Sequence, residues 1–403
     1  MEKLKRVVCE IAYSHDFSNL SLLHRSLLPL LHLASSCYNL SLTTRNHLYF
    51  LGIFRKQRLP IPVISVGNLT WGGNGKTPMV EFLSHWFSNS GISPLILSRG
   101  YAGGDEVKML ERHLMGTSAK VGIGANRAMT AAWFLETYGY TDSHGDVIFE
   151  KLLYANKVSA DFTSEKIDAA ILDDGMQHVS LERDLDIVMV NGLMPWGNTK
   201  LIPLGPLREP LFALARADIV VIHHADLVPE QNLIELKLGV QKMKESLPVF
   251  FSKMVPSHLF TVYNADTKLP LSAIEGRVVL CLSAIGSPYS FVKCIEKLQP
   301  MHIDQLHYSD HYLLQSKDIC MMRMRLEELY HNFGCTPIVV TTEKDYDRDR
   351  DILSQLCPFE VLVLCSQLQF VSLHDKNSEK TFKEIFKQLL DTRSTRANIS
   401  EHS

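Results

Sequence analysis

The sequence predicts an α/β fold: a P-loop NTPase-type, mostly parallel sheet with helices on both faces, a second smaller α/β domain, and an N-terminal membrane-associating helix. Three observations predict it. An apolar, β-branched run feeds the glycine-rich stretch Thr70-Trp71-Gly72-Gly73-Asn74-Gly75-Lys76-Thr77, which opens a helical pattern. Short buried-type strands alternate with helical stretches, the pattern of a parallel sheet covered on both faces. At 403 residues the chain exceeds one ordinary core, and the strand–helix pattern restarts past Asp226. The expected organisation is a basic apolar segment at 1–58, a core domain at 59–225, a second domain at 226–391, and a disordered polar tail at 392–403. Part of the second domain can return to complete the first sheet.

Each element has its own signal. Residues 61–66 form an apolar run that predicts the first strand, and 78–88 continue as the helix after the glycine-rich loop. Residues 94–97 predict a second strand running into Ser98-Arg99-Gly100-Tyr101, and 126–138 read as a helix. Strands are expected at 169–172, 185–190 and 219–222, each bounded by polar or turn residues. Beyond the restart, strands at 278–282, 338–341 and 361–364 alternate with helices near 290–298, 316–330 and 379–390.

Composition is that of a globular protein, and the net charge of −3 gives no general pull toward nucleic acid. The eight cysteines contain no C-x-x-C pair and fall mostly in apolar segments, so buried reduced thiols are expected rather than a zinc site or a disulfide framework. No stretch reads as a transmembrane helix. Charge is distributed unevenly, however. Between Asp16 and Glu81 there is no acidic residue, while Arg25, Arg45, Arg55, Lys56, Arg58 and Lys76 all fall inside. With the leucine-rich stretch at 20–33, this basic apolar segment suits an anionic membrane face. Packing on the protein's own core is the alternative. An organelle transit sequence is a further reading, against which stand Glu2, Glu10 and Asp16.

The glycine-rich loop carries the chemistry most directly. Glycines let successive N–H groups turn around a phosphate chain, and the following helix adds its positive N-terminal dipole. Lys76 can reach the β- and γ-phosphates of a nucleotide, and the Thr77 hydroxyl can ligate Mg²⁺. The strict pattern places a glycine five residues before Gly75, where this chain has Thr70. A second signal is Asp173-Asp174-Gly175-Met176-Gln177-His178 after an apolar strand, where such enzymes hold metal and water; a plain Asp-Asp-Gly turn is the alternative. Third comes Pro203-Leu204-Gly205-Pro206-Leu207-Arg208-Glu209-Pro210, a rigid loop presenting an always-charged guanidinium to phosphate or, alternatively, to Glu209.

Asp105 and Glu106 sit in a loop at another strand's carboxyl end, the edge where ligands collect in open α/β sheets. Either can accept a hydroxyl proton, although loop acids are more often solvated. Asp310-His311 sets an acid beside an imidazole, a pair that can hold a tautomer for acid/base work or fix a nucleotide contact, although most such pairs are structural. Thr341-Thr342-Glu343-Lys344-Asp345, after a strand, can contact nucleotide or cap a helix, and the cap is favoured. His223-His224 is not expected to bind metal, because neighbours on a strand face opposite ways.

Taken in order, these segments resemble the tetraacyldisaccharide 4′-kinase (lipid A 4′-kinase) family, over residues 60–345. The Asp-Asp-Gly-x-Gln-His and Gly-Pro-Leu-Arg-Glu-Pro elements are the distinctive ones, and that family's loop also begins without the first glycine. The resemblance implies ATP and Mg²⁺ as cofactors and transfer of the γ-phosphate to the 4′-hydroxyl of a tetraacyldisaccharide 1-phosphate at a membrane surface, forming lipid IVA. It implies nucleotide contacts from Thr70 through Thr77, metal contacts from Thr77, Asp173 and Asp174, and substrate contacts from Arg208, Glu209 and Gln177. Lys76, Asp174, Asp105 and His311 become the catalytic set, with Asp105 as base. The composition and polar C-terminal extension resemble a plant-like member, which implies mitochondria; otherwise the cytoplasmic face of an inner membrane is implied. No nucleic-acid or obligate protein partner is evident. A P-loop kinase or ATPase for a soluble ligand, or a silent nucleotide-binding scaffold, are the competing readings.

Overall fold

A computed structural model describes residues 2–14, 16–100, 104–141, 166–373 and 378–401. The described chain folds as two compact units, Met1–Arg99 with Leu114–Lys253 and Phe370–Ser403, and Gly100–His113 with Met254–Gln369.

The first unit begins with helices α1 (Glu2–Ala12) and α2 (Leu22–Phe50). Strand β1 (Val63–Gly67) then leads into helix α3 (Lys76–Asn89) and β2 (Pro94–Ser98). After helix α4 (Asp105–His113), which belongs to the second unit, come β3 (Lys120–Ile123) and α5 (Arg127–Tyr138), the latter capped by the Asn126 side chain. Strands β4 (Ala169–Asp173), β5 (Leu185–Asn191) and β6 (Ile219–His223), helix α6 (Glu230–Gln241) and the start of β7 (Val249–Thr261) complete the series. The seven strands lie in the order β7-β6-β5-β1-β4-β2-β3, and every neighbouring pair is parallel. This is the expected α/β sheet. Being parallel, β1, β2, β4, β5 and β6 deliver their carboxyl ends to one edge, which gathers the glycine-rich loop, Ser98, Asp173, Asn191 and His223.

The strands are apolar on both faces because both faces are covered. Val188, Val190, Val220 and Ile222 pack toward Ala213, Leu233 and Val240. Val63, Leu95, Leu97, Ala170 and Leu172 pack toward Ala128, Ala131 and Leu135 of α5.

In the second unit, β8 (Asn264–Leu269) pairs antiparallel with the end of β7. It continues through β9 (Val278–Ser283), helix α7 (Pro288–Glu296), β10 (His302–His307), α8 (Ser316–Phe333), β11 (Ile338–Thr342), α9 (Glu343–Arg348), α10 (Arg350–Ser354) and β12 (Val361–Val371). The pairs β10–β9, β9–β11 and β11–β12 are parallel. Alternate residues again serve opposite faces: Val278, Leu280 and Leu282 meet α8 through Ile319, Met322 and Leu326, while Val279 and Cys281 meet α7 through Phe291 and Ile295.

The boundaries differ from those expected. Residues 226–253 stay with the first unit because β7 pairs with β6. The last helix, α11 (Glu379–Glu401), also returns there: Phe386 lies 5.2 Å from Trp86 and 5.8 Å from Phe87 of α3, and Phe382 lies 5.3 Å from Phe250 between ring centroids. Burying two phenylalanines contributes roughly 1.5–3 kcal/mol each, enough to fix the return. The residues from 392, expected as an irregular tail, continue this helix to Glu401. The cysteine expectation is also corrected: Cys281, Cys294 and Cys365 are buried, but Cys9, Cys37, Cys320 and Cys357 are exposed. None of the eight forms a disulfide among the described residues.

Helix α2 supplies two different faces. Leu31, Ser35 and Leu42 turn inward, while Leu22, Leu23, Leu30, Leu33, Leu40 and Phe50 are exposed. Among the described residues no helix is long and apolar enough to cross a membrane.

Candidate active site

In the first unit the glycine-rich loop is built as the sequence suggested, with one addition. Gly75 caps α3 at φ +81°, and a Cβ there would come within 2.6 Å of the His223 ring. Only glycine fits both constraints. Thr70, standing where a glycine is usual, is buried and donates its hydroxyl to Asn74 Oδ1 at 3.0 Å. Asn74 in turn donates to the Gly72 carbonyl. The departure from the strict pattern is therefore an internal brace of the loop.

The loop rests on side chains that the sequence did not single out. Asn191 Nδ2 donates to Gly73 O at 3.1 Å, and His224 hydrogen-bonds the Gly73 backbone. His223 Nδ1 lies 2.9 Å from Ser252 Oγ. The two imidazoles do not face opposite ways, as strand neighbours would; their centroids are 4.2 Å apart because His224 has left the strand at φ +60°. Burial holds both rings neutral, taking His224 down to about 4 and His223 well below its ordinary value. Among the described residues no group of three or more His, Cys, Asp or Glu side chains forms a metal cluster.

Asp173 ends β4 as a buried carboxylate, with Ser98 Oγ 3.5 Å from its Oδ2. Asp174 follows at φ +56° and carries the strongest polar contacts of this edge. Arg208 Nη1 donates to both of its oxygens at 2.7 Å, and Lys76 Nζ lies 3.6 Å away. Burial alone would raise the Asp174 carboxyl, but Lys76 and Arg208 hold it below the usual range. Gln177 accepts from Arg208 Nη1 at 3.3 Å and donates to Asn68 O at 2.9 Å. Arg183 fastens this turn by donating to Gly175 O at 2.9 Å and Met176 O at 3.2 Å.

The 203–210 loop is stitched to the glycine-rich loop, since Arg208 N donates to Leu69 O at 2.6 Å and Trp71 N to Pro206 O at 3.2 Å. Helix α2 braces it from the other side: Tyr38 OH donates to Arg208 O at 2.8 Å, and Ser35 Oγ to Leu201 O at 3.0 Å. Glu209 is buried, paired with Arg216 at 2.8 Å and with Arg45 at 3.9 Å.

The second unit holds the other predicted residues. Asp105 is not a loop acid; it opens α4 and is fully buried. Its Oδ2 lies 3.1 Å from His311 Nδ1, closer than the 3.8 Å between His311 Nε2 and neighbouring Asp310. Arg348, unremarked in the sequence, donates to the same Oδ2 through Nε at 3.0 Å and Nη2 at 2.7 Å. Burial would raise the Asp105 carboxyl, but the hydrogen bonds from His311 and Arg348 and the Lys344 charge bring it down to about 2. Thr342 caps α9 as expected, accepting from Asp345 N at 3.2 Å. Helix α4 is clamped to α9 by Arg112, which donates to Asp347 at 2.7 Å and to Glu343 at 3.0 Å. Tyr101 of the Ser98-Arg99-Gly100-Tyr101 segment lies outside the described residues.

Comparison with known proteins identifies this architecture. The family model described as "Tetraacyldisaccharide-1-P 4'-kinase" (LpxK) matches residues 27–387. A protein of Arabidopsis thaliana named "Probable tetraacyldisaccharide 4'-kinase, mitochondrial" is 55% identical over 93% of this chain and 94% of its own length. The chain belongs to the tetraacyldisaccharide-1-P 4′-kinase family. A bacterial relative, the tetraacyldisaccharide 4′-kinase of Syntrophus aciditrophicus, is 30% identical over 90% of this chain and 92% of its own. Among solved structures, LpxK from Aquifex aeolicus, described as an "apo" form in complex with ATP, superposes with a TM-score of 0.55 at 24% identity, covering 92% of this chain and 100% of that one. That likeness supports the fold. The residues that brace the family's distinctive loops here (Tyr38, Arg45, Asn191, His223 and Arg216) lie outside its contiguous motifs, and only the folded chain brings them to those loops.

Proposed function

We propose that this chain transfers the γ-phosphate of ATP to the 4′-hydroxyl of a tetraacyldisaccharide 1-phosphate, producing lipid IVA. The observation that carries this reading is the Lys76–Asp174–Arg208 cluster at the mouth of a braced glycine loop, in a chain of this kinase family. In phosphoryl transfer the protein contributes mainly positioning and charge. Backbone N–H groups of residues 70–77 and the α3 N-terminus receive the phosphates, Lys76 neutralises their oxygens, and Arg208 is held ready by Asp174. Gln177 and Glu209 keep Arg208 and its loop in place for the substrate.

Mg²⁺ fits the donors present. Thr77 offers a hydroxyl, and Asp173 and Asp174 offer carboxylates, the hard oxygens that this ion takes in small number alongside phosphate and water. Bound there, the ion would neutralise charge on the phosphates. In the second unit the Asp105–His311 pair handles the hydroxyl proton.

The exposed leucines of α2, beside a segment free of acids, support docking on an anionic membrane. Replacing Leu23, Leu30, Leu33 and Leu40 together with serine should abolish flotation with anionic vesicles; unchanged flotation would remove the membrane reading. The Arabidopsis relative's name supports mitochondria, checked by imaging a fluorescent fusion.

The activity itself is tested by incubating the full-length protein with ATP, Mg²⁺ and the tetraacyldisaccharide 1-phosphate. Formation of the 4′-phosphorylated lipid is expected. ADP release without that product would favour an enzyme for a soluble ligand, and neither product would favour a silent scaffold.

A further inference from the structure

The kinase reading assigns nothing to α1, whose residues Glu2–Ala12 lie ahead of the segment, 27–387, that the family model matches. Resting on that reading, we propose that the C-terminal end of α1, Ile11–Tyr13, is a positioning element of the active site. Clamped by Asn198, it sets the loop that carries Arg208, and it is retained in the mature protein.

A helix ends with carbonyls that have no partner within the helix. At the end of α1 a single distant residue meets them. Asn198 N donates to Ala12 O at 3.0 Å, and Asn198 Nδ2 donates to Ile11 O at 3.1 Å. Nδ2 also donates to Leu204 O at 2.9 Å, while Oδ1 accepts from Lys200 N at 3.0 Å. An asparagine amide has two donor protons and an acceptor oxygen, and all are engaged. The same turn runs on to Arg208: Leu207 N donates to Lys200 O at 3.1 Å, and Ile202 N to Leu207 O at 2.9 Å. One buried side chain therefore ties α1 to both sides of the turn that ends in the guanidinium.

The packing leaves this clamp no slack. Ile11 and Ala12 are fully buried, and Ile11 packs with Leu31 of α2 and Leu204 of the loop. A Cβ on Gly197 would lie 2.6 Å from Pro206 and 2.7 Å from Ala12 O, and one on Gly205 would overlap Asn198 Oδ1. Tyr13 sets its hydroxyl beside the indole of Trp71, so the same short stretch also reaches the glycine-rich loop.

This burial bears on how the chain is processed. A cleavable leader can leave without disturbing the fold it precedes. Removing Ile11–Tyr13 would instead uncover Leu31 and Leu204 and strand two donors of Asn198, groups that are costly to leave unpaired. The end of α1 is thus built into the first unit.

The test compares the full-length protein with a chain lacking residues 2–14 and with Asn198→Asp, using thermal melting to confirm that each folds. The aspartate keeps size and Oδ1 but sets a carboxylate oxygen against the Ile11 and Leu204 carbonyls. By hydrogen exchange on substrate-free protein, the Ile202, Gly205 and Leu207 amides should exchange at least about tenfold faster in both variants, while β1 and β5 keep their protection. In turnover, the KM for the lipid should rise about tenfold, with the KM for ATP within about twofold of wild type. A merely structural α1 would lower the melting temperature and leave those three amides and the lipid KM as in the wild type; that result would overturn the proposal. In protein isolated from its own cells, intact mass is expected to show Ile11–Tyr13 present, and a mature chain beginning after Tyr13 would overturn the proposal as well. If the loop amides loosen in both variants but the wild-type protein makes no 4′-phosphate, the brace stands and the kinase reading is what has failed.

Discussion

The two units solve different problems with different means. The first, on the proposed reading, would grip phosphate with backbone amides and two cations around one acid, Asp174, and its principal parts are short contiguous segments. The second holds a single acid, Asp105, in partners 206 and 243 residues away in sequence, His311 and Arg348. A phosphate cradle is mainly a backbone shape, which glycine spacing encodes locally. A tuned proton relay is a side-chain constellation, which only the fold can assemble.

That contrast can be broken in several ways. The largest effect is expected from Lys76→Ala, which removes a preorganised cation from the transferring phosphate and should lower kcat/KM about 10³-fold or more; steady-state kinetics with retained melting temperature checks it. Near-normal turnover would move the phosphate site elsewhere. Next, Phe386→Ala should cost the first unit about 3–5 kcal/mol in denaturant unfolding, because its ring is fully buried against α3. A loss near zero would detach the C-terminal helix from that unit.

Acid should separate the units as well. His178 is pushed down to about 4 by burial and by the charges of Arg127, Arg183 and Arg99, and His224 to about 4 by burial. Between about 6.5 and these values the unfolded chain binds protons that the folded chain refuses, so stability falls as pH falls. For buried His224 the loss by pH 4 is on the order of 3 kcal/mol. Asp105 has the same sign of dependence over a lower range: its depressed carboxyl stabilises the second unit above about 3.9, and that contribution is lost only as pH falls toward about 2. All four tryptophans (Trp71, Trp86, Trp133 and Trp196) lie in the first unit, so their fluorescence against pH reports it alone. Equal acid midpoints for this signal and for a probe in the second unit would contradict the separation. The smallest effect is expected from Tyr38→Phe, which deletes the hydrogen bond to Arg208 O and should cost about 1 kcal/mol, read as a several-fold loss in kcat/KM.

How much was legible follows the same division. The glycine loop, the Asp173-Asp174 turn and the Arg208 loop each declared themselves because their residues are neighbours in sequence. The parallel sheet was legible because its strands are apolar on both faces. Strands β3, β7, β8 and β10 were missed: β3, β8 and β10 are partly exposed and carry polar residues such as Lys120, Asn264 and Asp304, and the apolar run of β7 is interrupted by Ser252, Lys253 and Pro256. Asp105 was expected in a loop because glycines precede it, whereas Arg112 and Arg348 pin its helix in place. The return of α11 was left open for a similar reason: Phe382 and Phe386 show periodicity, but periodicity does not name the surface they cover.

The division of labour is tested most directly by measuring MgATP affinity beside kcat in two variants. Lys76→Ala is predicted to weaken nucleotide binding together with turnover. His311→Gln is predicted to keep the wild-type Kd for MgATP while kcat collapses. A His311→Gln protein that loses nucleotide affinity, or a Lys76→Ala protein that keeps both, would contradict the account.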